Sequence, residues 1–112
     1  MSGDNDVFEI MGNMRAMRRL KSDPVPDALI AKILRAGASA PNGGNSQIWR
    51  FLVVKDETIK KSLQVQYKSA YDDWIGPRYS SSKPPPGATK EKYGRQHTAV
   101  EYLTDHFHEA PV

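Results

Sequence analysis

Ala40-Pro41-Asn42-Gly43-Gly44-Asn45-Ser46-Gln47-Ile48-Trp49-Arg50-Phe51 is the stretch on which the fold turns. It joins a helical pattern over residues 27–39 to an apolar, strand-like run from Trp49 to Val54. Pro41 cannot continue a helix, and Gly43-Gly44 can take backbone conformations closed to other residues. Asn42, Asn45 and Gln47 place three uncharged donor–acceptor side chains in close succession. Such a loop can fold against a flat, polar-edged ligand and hydrogen-bond its rim. The same residues also make an ordinary helix-to-strand turn.

Working outward, the segment before the helix is basic: Arg15-Ala16-Met17-Arg18-Arg19-Leu20-Lys21, then Asp23-Pro24-Val25-Pro26. Taken alone, these arginines read as helix-end charges or as an anion site. Taken in order with the helix and the loop, they resemble the nitroreductase family of FMN-dependent oxidoreductases, most clearly from Val7 to Val54. Ala16 stands where many members carry a serine, and Asn42 and Ile48 replace the usual serine and proline. Asn42 keeps the hydrogen-bonding capacity.

What the resemblance implies is specific. The fold would be α+β, with helices around a central, mostly antiparallel sheet, and residues 1–112 would form the N-terminal part of one domain. Arg15, Ala16, Met17, Arg18 and Arg19 would meet the FMN phosphate. Pro41, Asn42, Gly43, Gly44, Asn45 and Gln47 would hold the ring and ribityl edge. In such enzymes the flavin carries a hydride from NAD(P)H to a nitro, quinone or similar small-molecule acceptor, so no side chain is named as catalytic. FMN would sit at a homodimer interface, in a cytoplasmic protein. Ala110-Pro111-Val112 falls where a central strand begins in the family, which reads as a truncated chain or half of a split protein. Alone, it is expected to order only as a dimer or in contact with a missing second segment, with no tight FMN binding and no NAD(P)H oxidation.

Composition limits the alternatives. The chain has 112 residues, 38% of them hydrophobic, with two Trp, five Tyr and three Phe, enough for one modest core. The absence of Cys excludes disulfides, thiolate metal sites and Cys nucleophiles. No apolar run is long enough to span a bilayer. A net charge of +3 is small for a dedicated nucleic-acid binder, so neither nucleic acid nor membrane is an expected partner. Two other readings stand beside the enzyme: a non-catalytic flavin-binding or dimerising fragment, and a small anion- or nucleic-acid-binding module.

The remaining chain reads as helices and one loop. Asp4 or Asp6 can cap a helix over Val7–Met17, with Val7, Ile10, Met11, Met14 and Met17 as its stripe. Pro26 opens a helix whose apolar face is Leu29, Ile30, Ile33, Leu34, Gly37 and Ala38. Asp56-Glu57 open another, with Ile59, Leu63, Tyr67, Ala70, Tyr71 and Trp74 on one face, ending at Gly76-Pro77. Residues 77–89, with three serines and three prolines in runs, form a long loop. A last helix over residues 89–109 aligns Tyr93, Gln96, Val100, Leu103 and Phe107. His97, Glu101, His106 and His108 read as surface residues, with no metal expected, because His106 and His108 point in different directions.

Overall fold

A computed structural model describes residues 6–112. The candidate cap Asp4 lies outside them. Five α-helices follow one another: α1 (Val7–Asn13), α2 (Asp27–Ala38), α3 (Glu57–Ala70), α4 (Gly76–Ser81) and α5 (Lys90–His106). Short 3-10 turns occupy Gly43–Asn45 and Phe107–Glu109, and a π-helical turn, Tyr71–Ile75, joins α3 to α4.

The described residues contain no strand and no sheet, which overturns the α+β expectation. A strand is defined by the ladder it shares with a neighbour, and residues 48–55 have no such partner here. Their apolar, β-branched pattern is realised as an extended segment laid beside α2. The Phe51 ring would lie 3.3 Å from a Cβ added at Gly37, so the small residue admits the ring. Lys55 pairs with Asp27 at the start of α2. Between them, Val25, Ile30, Ile33, Leu34 and residues 52–54 line an apolar groove of about 350 Å³, together with Val112.

Packing is concentrated in the second half. Tyr71 and Val100 are the buried apolar residues; Lys60, Gln64 and Thr104 are buried beside them. Buried polar residues require partners, and the geometry supplies them. Gln64 Nε2 donates to the Thr104 carbonyl at 2.7 Å. That carbonyl lies in the last turn of α5, where helix geometry leaves acceptors unmet. Lys60 Nζ donates to the Ala110 carbonyl at 2.8 Å and pairs with Glu57 at 2.9 Å. One turn apart on α3, these two polar side chains cap the end of α5 and the chain beyond it. The expected apolar face of α3 is therefore only partly right. Tyr71 is buried, but Ile59, Leu63 and Trp74 are exposed, and the contact face is turned by about one residue toward Lys60 and Gln64.

Other boundaries also move. Asp6 caps α1, accepting from the Phe8 N–H, but α1 ends at Asn13 rather than at Met17. Met14 is already extended, and Arg15 Nη1 donates to the Gly12 and Met14 carbonyls at 3.3 and 2.7 Å. Pro26 flanks α2 as its cap rather than entering it, and its carbonyl accepts from Leu29 and Ile30. Gly76-Pro77 does not stop the third helical stretch. Following the π-turn, Pro77 falls in the first turn of α4, where its missing N–H is not needed. Thr89 caps α5 through the Lys92 N–H at 3.2 Å.

The molecule is loosely packed for its length. Its accessible surface is 9380 Å², against about 6200 Å² for a compact protein of this mass. Its radius of gyration is 17.6 Å, against roughly 13 Å. No helix among the described residues is long and apolar enough to cross a membrane.

Candidate functional site

The loop after α2 is built from its own side chains. Ser39 closes the helix by returning its hydroxyl to the Arg35 carbonyl at 2.8 Å, and Pro41 prevents continuation. Asn42 then acts as the hub. Its Oδ1 accepts from the Gln47 backbone N–H at 2.8 Å and from the Ser46 hydroxyl at 3.2 Å. Gln47 Nε2 donates to Asn45 Oδ1 at 3.0 Å. Three residues inside this ring of bonds lie in the left-handed region: Gly44 (φ 58°), Asn45 (φ 52°) and Gln47 (φ 50°). The first is cheap for glycine, whereas the other two carry strain that the Asn42 bonds offset. Strained, over-determined backbone of this kind clusters at ligand clamps.

The loop is thus a preformed rim. The Asn42 and Asn45 amide nitrogens and the Gln47 carbonyl oxygen make no side-chain hydrogen bond among the described residues, so they are available to a ligand edge. A Cβ at Gly43 or Gly44 would meet nothing within 4 Å. Gly44 is therefore required by its dihedral angle and not by crowding.

Arg15 to Arg19 sit on irregular chain between α1 and α2, with a bend at Arg19, and not at a helix end. Their side chains part company. Arg15 is turned back onto the end of α1. Arg18, half-buried, lines a cavity of about 250 Å³ with Tyr67, Tyr71, Ile75, Tyr79 and Val100. Arg19 places its guanidinium carbon 4.1 Å above the centre of the Tyr102 ring. Val100 and Tyr102 are two positions apart on α5 and so face different ways, which separates Arg18 from Arg19. Ala16 and Met17 are exposed.

The tyrosines around Arg18 were not legible as site residues, because their spacing reads equally as a core stripe. Burial pushes the Tyr71 phenol above its ordinary pKa, and nearby Glu101 adds to the shift. Tyr71 therefore remains a neutral group beside the arginine. Next to this cavity, His97 is wedged between the rings of Tyr79 (4.5 Å, edge-on) and Tyr93 (5.2 Å), and Tyr93 also meets the Ser82 hydroxyl. His97, His106 and His108 are half-buried rather than on the surface. Among the described residues, no group of three His, Asp or Glu side chains is placed to hold a metal ion.

The donor chemistry fits a phosphate-bearing, polar-rimmed cofactor. Guanidinium groups bind phosphate through planar, charge-assisted bonds, and the loop offers neutral donors and an acceptor. The cavity at Arg18 is smaller than the 300–1,000 Å³ typical of pockets that enclose a ligand.

The family model of nitroreductases matches residues 13–112. The chain belongs to the nitroreductase family. Relatives of this nitroreductase-family chain include NADH dehydrogenase of Thermus thermophilus, 44% identical over 50 residues (45% of this chain, 24% of the relative). Iodotyrosine deiodinase 1 of Rattus norvegicus is 32% identical over 59 residues (53% and 21%). Iodotyrosine deiodinase of Daphnia pulex is 26% identical over 104 residues (89% and 32%). The chain covers between 21% and 32% of the length of these relatives. No solved structure gave a significant match.

Proposed function

We propose that this chain supplies the flavin-binding segments of an FMN-dependent oxidoreductase of the nitroreductase type. NAD(P)H is the reductant and a nitro compound, quinone or similar molecule the acceptor. The relatives named for iodotyrosine add that molecule to the candidate acceptors. The observation that carries the reading is the loop from Pro41 to Gln47, locked by Asn42 in a left-handed conformation with its remaining polar atoms unengaged.

Bound FMN would supply the two-electron chemistry. This chain's residues bind and orient it. Arg19 meets the phosphate from its place on Tyr102, and Arg18 and Arg15 join it by leaving the tyrosine cavity and the end of α1. Asn45 bonds the ribityl or ring edge, Asn42 and Gln47 hold the loop, and Gly44 gives the turn its shape. No side chain here is assigned a proton transfer.

A comparison of FMN with riboflavin, which lacks the phosphate, tests this directly. Quenching of flavin fluorescence by the 112-residue chain should be stronger for FMN, and the gap should close as salt rises. Equal quenching of both, or of neither, would sink the proposal. A second reading, a non-catalytic flavin-binding or dimerising piece, draws support from the exposed stripe of α1, where Met11 is 63% and Met14, at its C-cap, 69% exposed. A dimer by light scattering that binds FMN without catalysing NAD(P)H oxidation would favour it.

A further inference from the structure

The segment carrying the arginines makes no backbone–backbone hydrogen bond between residues 14 and 25 among the described residues. Its position is set by side chains. Arg18 enters the tyrosine cavity, and Arg19 rests on Tyr102. Tyr102 itself is not free. The His106 ring, one turn along α5, stacks on it with centroids 4.0 Å apart and planes inclined by 13°. His106 Nδ1 is in turn held by Glu109 Oε1 at 2.8 Å.

Two groups each about 4 Å from one ring centre cannot share a face without overlapping. The Tyr102 ring therefore lies between the Arg19 guanidinium and the His106 imidazole. An arginine held on an aromatic face is attracted by the ring's quadrupole and keeps its in-plane N–H groups for another partner. Such a platform selects a guanidinium orientation before any anion arrives, which lowers the ordering cost of binding. The backing ring limits rotation of the tyrosine, and Glu109 limits that of the histidine.

We propose that Tyr102 is a positioning residue for anion binding by Arg19, with the His106–Glu109 pair bracing it. This rests on the phosphate role given above to the arginine segment, and it names the residue on which that role depends. The ligand class is a phosphate monoester dianion, such as the terminal group of a mononucleotide.

The test uses side-chain NMR of the 112-residue chain with inorganic phosphate as the probe, followed by FMN and riboflavin. In the native chain the Arg19 side-chain protons should be moved upfield by the Tyr102 ring current, and phosphate should perturb the Arg19 Nε–H. Tyr102→Phe should retain both signatures. Tyr102→Leu should abolish the upfield shift and weaken phosphate binding at Arg19 by about two- to fivefold, the range of an exposed cation–π contact, with helix content unchanged. Unchanged phosphate affinity in Tyr102→Leu overturns the proposal, as does a native chain in which phosphate leaves Arg19 unperturbed. Should phosphate bind as described while FMN binds no better than riboflavin, the flavin reading fails and the role of Tyr102 stands.

Discussion

Residues 6–56 and residues 57–112 obey different rules. The first part carries the loop and the arginines of the candidate site, and none of its residues is buried. The second carries every buried residue described and closes around α3 and α5. Binding chemistry has been placed on the part with the least packing, and packing on the part with the least binding chemistry. Local stability follows buried contacts, so the first part belongs to the low-stability end of the molecule. Side chains cross the divide at Arg18 and Arg19 and moor the exposed binding segment to the better-packed helices.

The largest expected effect would break the contrast at its strong end. Tyr71→Ala removes a buried ring from the α3–α5 contact and should cost about 3–5 kcal/mol. Urea denaturation followed by helical circular dichroism should show the midpoint falling. A midpoint that did not move would mean the second part is no firmer than the first.

Next come the moorings. Arg18→Ala should weaken FMN relative to riboflavin by one to two decades, from about 1.5–3 kcal/mol for a charge-assisted hydrogen bond, and flatten the salt dependence. Arg15→Ala should do less, because that side chain is turned onto the end of α1. Equal losses in fluorescence titration would show that Arg15 leaves its carbonyls to bind the phosphate.

The loop should respond on a smaller scale and only locally. Gly44→Val forces a branched side chain to φ 58°, at about 1–2 kcal/mol. Flavin quenching should drop while the urea midpoint stays in place. Asn45→Ala should reduce quenching as well, by removing one rim donor. Full quenching in Gly44→Val would leave the loop a turn and nothing more.

Acid should have the mildest effect, on the firm part. A hydrogen bond from Lys68 holds the Asp105 carboxyl below its ordinary pKa, and one from His106 does the same for Glu109. Groups depressed in the folded state add stability above their unfolded pKa and lose it as pH falls through the folded value. The α3–α5 contact should thus loosen only on acidification below the ordinary carboxylate range. Asp105→Asn should blunt that dependence in urea midpoints measured across pH. Lys68 is raised by the same bond to Asp105, so its share is lost only as pH climbs past the ordinary lysine value.

The sequence made the candidate site more legible than the fold. Pro41, the paired glycines and the three amides announce the loop, because turn chemistry is local. The helices α2 and α5 were equally readable from their periodicity. The absence of a sheet among the described residues was not legible, because an apolar run such as Ile48–Val54 favours extended backbone without specifying whether a partner is present. The burial of Lys60 and Gln64 was also hidden, since it depends on carbonyls 50 and 40 positions away in the chain, respectively. Tyr102 gave no signal either, as its meaning comes from Arg19 crossing one face and His106 the other.

The π-turn at Tyr71–Ile75 acts as a phase shifter. Tyr71 and Tyr79 are eight positions apart, which in a regular helix would leave them about 80° out of line. A π-turn takes up about one extra residue, so the two rings return to within roughly 20° of each other. Both then reach the Arg18 cavity, and Tyr79 meets His97 one turn before Val100. The spare residue works like a washer on a bolt: it sets the angle at which everything after it comes to rest. Straightening the turn into regular α-helix with no residue removed would keep the helices and lose their alignment, swinging Tyr79 about 100° out of its present direction.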